Sequence, residues 1–228
     1  MLKIKVTDRV PETCILSHKQ GIYNFFNLNT VWWLKNSKQY YLLLKNNNNI
    51  NFTDSKILSV LLRTKQQRGP TFTKKFLSSV NVNDTKHFFI GLDEQDKILL
   101  SKKTKLLENK VFSYNPPYIK ELEFSKLERK TMISKLKKIK PSFVWVCVGS
   151  PKQEILSNQL YKDYKATYLN VGAALDFILE RKKEAPKIFQ RLCLEWFYRL
   201  ITDFKYSKKK VWKSLLGLKF LNILEVKR

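Results

Sequence analysis

Glycine is scarce in this chain. Six glycines stand among 228 residues, and neither G-x-G-x-x-G nor G-x-x-x-x-G-K-[ST] occurs. The usual dinucleotide and P-loop readings therefore lose the backbone that cradles phosphate. No D-x-D occurs, so a carboxylate pair holding a metal on a nucleotide-sugar diphosphate is not indicated. The two histidines, His18 and His87, stand in unlike contexts, which argues against a histidine-based metal site. Cys14, Cys147 and Cys193 are odd in number and far apart. They form neither a disulfide framework nor a metal spacing and fit a reducing compartment. No apolar run approaches the roughly 18 residues of a membrane span, and residues 1–10 alternate charges instead of forming an apolar leader. The expectation is a protein that is soluble or rests on a membrane surface. Acidic residues are also few: 19 Asp+Glu against 44 Lys+Arg give a net charge of +25. That imbalance implies a polyanion such as nucleic acid, nucleotide phosphate or anionic lipid. A lysine-rich background that serves solubility explains the same number, because the lysines are spread along the chain.

What is present suits one large domain with an appendage, since 43% of the residues are apolar. In the first half, residues 40–45 (YYLLLK) read as a buried strand, and residues 46–55 (NNNNINFTDS) as a loop that turns at Thr53 or Asp54 into a helix. Pro70 is placed to begin the next helix, and Gly91 ends a short apolar run. The second half is clearer. Ser125 and Glu128 form a capping-box pattern, and Met132, Ile133, Leu136 and Ile139 recur at helical spacing until Pro141. Residues 143–148 (FVWVCV) are apolar on both faces, as parallel strands buried between helix layers are. A helix starts at Pro151, a strand fills residues 166–171 and a further helix follows. This alternation predicts an α/β fold: a Rossmann-like parallel sheet with helices on both faces. From about Lys187 the chain becomes helical, aromatic and basic, and residues 191–228 hold ten Lys/Arg and three Asp/Glu. We take residues 1–190 as the Rossmann-like domain and 191–228 as a helical appendage. Its composition suits an amphipathic helix in an anionic lipid interface. Packing on the core is the commoner use of such a pattern, and the two hold together if the front packs and the tail reaches lipid.

In an open parallel sheet, ligands bind at the carboxyl ends of the strands. Three loops fall there. One holds Gly149, Ser150 and Pro151 with Lys152, Gln153 and Glu154, where a helix N-terminus favours phosphate. One runs from Asn170 to Asp176, where Gly172 and two alanines let a ligand approach the backbone. The third, residues 51–55, carries Asp54, a carboxylate placed to act as a general base. Each also has a plain structural reading: Asp54 as a helix cap, Asp176 as a cap or ion-pair partner, Lys152 as a solvated charge.

The segments VWVCVGSPKQE, LNVGAALDF, EAPKIF and LCLEWFYRL stand in this order between residues 144 and 200. Their order and spacing resemble the WecG/TagA/CpsF family of glycosyltransferases, whose blocks read V-G-L-G-x-P-K-Q-E, G-V-G-G-x-F-D-F, R-A-P and G-L-E-W-x-Y-R-L. Weaker similarity extends upstream through LNT, FTDS, RGPTF and HFFIGL. The resemblance implies a Rossmann-like domain with an appendage that docks on the membrane and helps close the site. It implies inverting, metal-independent transfer of N-acetylmannosamine or a related sugar, without a cofactor. The implied partners are a UDP-sugar donor, a polyprenyl-diphosphate-linked sugar acceptor and an anionic membrane surface; whether a second copy of the chain joins them stays open. The products would be teichoic acid linkers, common antigen or capsule, made at the inner face of the plasma membrane.

Carried over residue by residue, Asp54 corresponds to the family's general base, and Asn29 to its site asparagine. Asn27 stands where the family has threonine. Gln153 would bond in the donor pocket, Gly149 and Pro151 would let backbone approach UDP, and Gly172 and Asp176 would shape the neighbouring wall. Arg199 would serve the leaving diphosphate. The chain departs from the family at Ser55 and Ala173, which replace glycines, at Leu175, which replaces an aromatic, and at Glu184, which reverses the charge of R-A-P. Asp203-Phe204-Lys205-Tyr206 and Lys210-Val211 replace arginine-bearing motifs, and lysine lacks the bidentate fork of arginine. Two other readings stay open: a basic nucleic-acid-binding protein, motivated by charge, and a catalytically inactive membrane-associated relative, motivated by Glu184 and the altered tail.

Overall fold

A computed structural model describes residues 3–18, 20–79 and 84–227, with no account of side chains at 16–18, 205 and 206. The outermost residues of the two expected regions, Met1 and Arg228, and the side chains of His18, Lys205 and Tyr206 thus lie outside what is described.

A six-stranded sheet forms the centre, in the order β3-β2-β7-β6-β4-β5. Its strands are β2 (Gly21–Phe26), β3 (Asn49–Thr53), β4 (His87–Ile90), β5 (Val111–Tyr114), β6 (Phe143–Val146) and β7 (Thr167–Asn170). Every neighbouring pair is parallel. Side chains alternate between two faces, as pleating requires. Tyr23, Phe25, Phe52, Phe89 and Trp145 enter one apolar layer, with Phe72 and Phe76 of α5 (Gly69–Leu77) and Leu100 of α6 (Glu94–Lys103). Ile22, Phe88, Ile90, Val144 and Val146 enter the opposite layer, against Met132 and Leu136 of α7 (Lys126–Ile139) and Leu156 and Leu160 of α8 (Lys152–Asp163). The fold is therefore Rossmann-like α/β, with the sheet covered on both sides.

Much of the punctuation read along the chain holds. Ser125 Oγ accepts from the Glu128 amide, Pro151 stands at the N-cap of α8, and Gly91 adopts φ +94° after β4. Glu128 completes only half of the box, because its carboxylate accepts from Tyr114 Oη at 2.5 Å instead.

The first half corrects two expectations. Residues 40–45 are not a strand: residues 40–44 belong to α3 (Lys38–Leu44), with Lys45 at its C-cap, and α3 follows α2 (Leu28–Asn36). Ser37 caps α3 by accepting from the Tyr40 amide, and Tyr40, Tyr41 and Leu44 share a buried helical face. A short apolar run does not reveal its period. The asparagine-rich stretch is not all loop, because Asn49–Thr53 is β3, followed by α4 (Lys56–Leu62). Half-buried Asn49 and buried Asn51 join a ladder of side-chain hydrogen bonds. Asn24 Nδ2 donates to Asn49 Oδ1 (3.0 Å) and Asn51 Oδ1 (2.9 Å), and Asn170 Nδ2 donates to Asn24 Oδ1 (2.6 Å) and Ser157 Oγ (2.8 Å). Mutual hydrogen bonding lets three strands carry asparagine at positions that apolar residues usually fill.

The C-terminal segment folds as α10 (Lys187–Arg191), α11 (Glu195–Thr202) and α12 (Phe204–Gly217), then a 3-10 stretch (Leu218–Ile223) and β8 (Leu224–Lys227). β8 pairs in parallel with β1 (Ile4–Thr7) in a separate two-stranded sheet. α12 crosses α2 so closely that a Cβ at Gly217 would stand 2.1 Å from the Leu28 carbonyl oxygen. Lys213 Nζ lies 4.2 Å and 4.1 Å from the ring centres of Trp32 and Trp33. The end of the chain therefore packs, while α10, α11 and the outer face of α12 leave apolar side chains bare. Ile188 and Leu192 are 61% exposed, Ile201 64% and Trp212 65%. Among the described residues no helix is long and apolar enough to cross a membrane.

Candidate active site

Because the central strands run parallel, their carboxyl ends share one edge. Asp54 follows β3, Asn27 and Asn29 follow β2, Gly149 follows β6 and Gly172 follows β7. Two groups of side chains form there.

The first surrounds Asp54. Its backbone N–H continues the ladder to the Phe26 carbonyl (2.7 Å), and its carbonyl accepts from Gln66 Nε2 (2.8 Å). Its Oδ1 accepts from the backbone N–H of Gly69, the first residue of α5, at 2.8 Å. Asp54 does not cap α4; Ser55 does, accepting from the Leu58 amide. The residue keeps a partly open edge, yet dense protein packs around the carboxyl itself. Burial pushes its pKa up to about 6 and Glu195 adds to the rise, while the Gly69 N–H, Arg199 and Arg68 oppose it. A carboxylate tuned this way matches a general base working near neutral pH.

Arg68 is the residue that motif reading missed, although the R-G-P turn that carries it was visible. It stands at the N-cap of α5 and pairs with Glu184 Oε2 (3.0 Å) and Glu195 Oε2 (3.4 Å). Glu195 and Arg199 come from α11, and the Arg199 guanidinium lies 5.2 Å from the Phe177 ring centre. The segment beyond Lys187 therefore brings charge of both signs to the neighbourhood of Asp54.

The second group lies at the ends of β6 and β7. Gln153 Nε2 donates to Glu154 Oε1 (2.9 Å) and to the Asn170 carbonyl (3.2 Å). Gln153 Oε1 is buried without a partner. Gly172 adopts φ +56°, and a Cβ there would stand 3.3 Å from that oxygen and 4.0 Å from the Gly149 Cα. The glycine serves both the left-handed backbone and the close approach. Burial raises the pKa of Glu154, against the Gln153 hydrogen bond and the nearby Ser150 and Tyr40 hydroxyls. Tyr40 Oη, Ser150 Oγ and Glu154 Oε2 gather here without a well-formed hydrogen bond among them, and Asn29 Oδ1 is likewise buried and unpartnered. Such a concentration of unsatisfied polar atoms at a sheet edge marks a place where a ligand or water completes the bonding.

The remaining expected residues make contacts of other kinds. Asn27 caps α2: its Oδ1 accepts from the Thr30 amide at 3.2 Å, and its own amide donates to Thr30 Oγ1 at 3.4 Å. Asp176 Oδ2 pairs with Lys182 Nζ at 2.6 Å. Lys152 is not simply solvated, since its Nζ donates to the Ile119 carbonyl and lies 5.1 Å from the Tyr118 ring centre. Pro151 is buried beside Ser150. His87 is a core residue: Trp145 Nε1 donates to its Nδ1 at 3.0 Å. Among the described residues no three His, Cys, Asp or Glu side chains converge as a metal site would need. One shallow depression of about 160 Å³ lies between Pro70, Lys74, Phe177 and Glu184, and another of about 240 Å³ between Gln66, Arg68, Thr71 and Phe72. Both flank α5, and Gln153 lines neither.

The model of the glycosyl transferase WecG/TagA/CpsF family matches residues 4–226. Relatives from Staphylococcus aureus, strains NCTC 8325 / PS 47 and COL, are 36% identical over 80 residues. Each carries the name N-acetylglucosaminyldiphosphoundecaprenol N-acetyl-beta-D-mannosaminyltransferase. The aligned part spans 35% of this chain and 32%, about a third, of those relatives' length.

Proposed function

This chain belongs to the WecG/TagA/CpsF glycosyltransferase family, and on that premise we propose that it transfers N-acetylmannosamine or a related sugar from a UDP-sugar to a lipid-diphosphate-linked sugar. The acceptor class follows the name of the staphylococcal relatives, whose acceptor is N-acetylglucosaminyldiphosphoundecaprenol. The observation that carries the reading is Asp54, a half-buried residue at the sheet edge whose carboxylate is held by the Gly69 N–H and acted on by Arg68 and Arg199.

The reaction is a single displacement with inversion. The acceptor hydroxyl oxygen attacks the anomeric carbon, the bond from that carbon to the diphosphate oxygen breaks, and UDP leaves with the electron pair. Asp54 takes the hydroxyl proton as the new bond forms. Arg68 and Arg199 meet the charge that develops on the leaving diphosphate, and preorganised cations suit that work. Gln153, Asn29, Gly149, Pro151 and Gly172 form the donor side, with Asp176 at the wall. Asn27 supports that edge by capping the helix that carries Asn29. Residues 191–228 form the membrane-associating appendage, and the exposed Ile188, Leu192, Ile201 and Trp212 among lysines and arginines suit an anionic surface. The enzyme then works at the inner face of the plasma membrane, in teichoic acid or surface polysaccharide synthesis.

A donor screen tests this reading. Purified protein is incubated with UDP-N-acetylmannosamine, UDP-N-acetylglucosamine or a UDP-uronic acid and an undecaprenyl-diphosphate-linked N-acetylglucosamine, with and without chelator. Transfer from at least one donor, unchanged by chelator, is expected. Transfer that vanishes with chelator contradicts the metal-independent mechanism, and no transfer from any donor contradicts the activity.

A further inference from the structure

We propose that Glu154 is a positioning residue: it locks the Gln153 amide with its carbonyl oxygen facing the ligand, so that this part of the site selects an N–H or O–H group of the sugar nucleotide. The inference rests on the UDP-sugar reading above and adds to it the chemistry that Gln153 demands.

The two ends of the amide differ in what they meet. Nε2 carries two hydrogens, and both have acceptors, Glu154 Oε1 at 2.9 Å and the Asn170 carbonyl at 3.2 Å. Rotating the amide by half a turn would set Oε1 against the Asn170 carbonyl, which can only accept. The orientation is therefore dictated by its neighbours. Oε1 is left as a buried acceptor without a partner, an arrangement that a fold does not keep without a reason. Gly172 lies against this oxygen, and any side chain there would begin 3.3 Å from it.

The same geometry says what does not bind there. Diphosphate oxygens are acceptors and would oppose Oε1, so the diphosphate belongs with Arg68 and Arg199 on the other side of the edge. An N–H or O–H of the nucleoside or of the sugar fits Oε1. Glu154 is 1% exposed and touches the ligand only through Gln153. Its second oxygen lies near Tyr40 and Ser150, on the side away from Gln153.

Isothermal titration with UDP and with a UDP-N-acetylhexosamine tests this on the full chain, comparing wild type, Glu154→Met, Glu154→Gln, Gln153→Met and the Gln153→Met/Glu154→Met double variant. Glu154→Met is expected to bind about tenfold more weakly, the loss of one buried hydrogen bond. Glu154→Gln, whose carbonyl still accepts from Gln153 Nε2, recovers most of the affinity. The double variant binds no more weakly than either single one, because both changes remove the same contact. Loss already seen with UDP places the selected group on the nucleoside; loss seen only with the UDP-N-acetylhexosamine places it on the sugar. Folded Glu154→Met with wild-type affinity, or losses that add in the double variant, overturns the inference alone. If Glu154→Met does not fold, Gln153→Met decides, and full affinity there overturns it. Wild-type protein that binds neither ligand overturns the donor reading and this inference together.

Discussion

The two sides of the candidate site are built by opposite means. On the β6–β7 side, Gln153, Glu154 and Asn170 are buried, and a chain of amide hydrogen bonds ties them to Asn24 in the middle of the sheet. On the Asp54 side, Arg68, Glu184, Glu195 and Arg199 lie nearer the surface, and ion pairs join the start of α5 to the segment around α11. The first arrangement is set by packing and leaves little freedom. The second is set by partly solvated charges, which hold weakly and can exchange a carboxylate partner for a phosphate. A buried wall tied by amide hydrogen bonds faces a rim of partly exposed ion pairs.

The largest expected effect comes from removing the proposed base on the rim side. Asp54→Asn should lower transfer by about 10²–10⁴-fold while UDP binding persists, measured by product formation and titration. The same change should stabilise the fold. Folding raises the Asp54 pKa to about 6, so the folded chain binds that proton more tightly than the unfolded one. Stability from this source is fully present below about pH 4 and is lost as pH rises through 6. Asparagine needs no proton, so thermal unfolding at pH 7.5 should show a gain of about 1–3 kcal/mol that disappears toward pH 4. Equal stability of the two proteins at both pH values would argue against a strained, buried carboxylate.

Arg68→Ala should come next, with kcat/KM for the donor about 10²-fold lower, as for loss of one charge-stabilising donor. Arg68→Lys should recover only part of it, because lysine lacks the fork. Full recovery would reduce Arg68 to a generic charge. On the packed side, Gly172→Ala should cost about 1–2 kcal/mol for an L-residue at φ +56°. It should also weaken donor binding by displacing Gln153, read by unfolding and titration together. Smallest should be the effect of the bare apolar side chains. Ile201→Ser and Trp212→Ser should each weaken binding to anionic vesicles several-fold, with Tm little changed because both residues are exposed. Vesicle binding that ignores both changes would remove the lipid role of this segment.

The same contrast decides what was legible in the sequence. The strands Phe143–Val146 and Thr167–Asn170 announce themselves through apolar runs ended by glycine or proline, and Gln153 and Gly172 follow from them by motif. β3 is hidden in the sequence because its asparagines bond Asn24 of β2, which in turn bonds Asn170 of β7, a pairing that exists only after three distant segments meet. α3 was misread because six residues do not reveal a period. Asp54 could be found by motif, but its environment could not. Arg68 and Glu195 are 127 residues apart, and only the fold brings the α11 segment over the end of β3. Asn27 and Asp176 have the expected identities, yet local bonds, to the α2 cap and to Lys182, occupy their side chains.

The central claim is that Asp54 takes the acceptor's proton. The most direct test is the initial rate of sugar transfer to a lipid-diphosphate-linked acceptor, followed from pH 5 to pH 8 in wild type and Asp54→Asn. The account predicts a wild-type rate that falls on the acid side of about pH 6, and a small residual rate in Asp54→Asn without that limb. A wild-type rate flat through pH 6, or an Asp54→Asn protein that transfers at the wild-type rate, would contradict it.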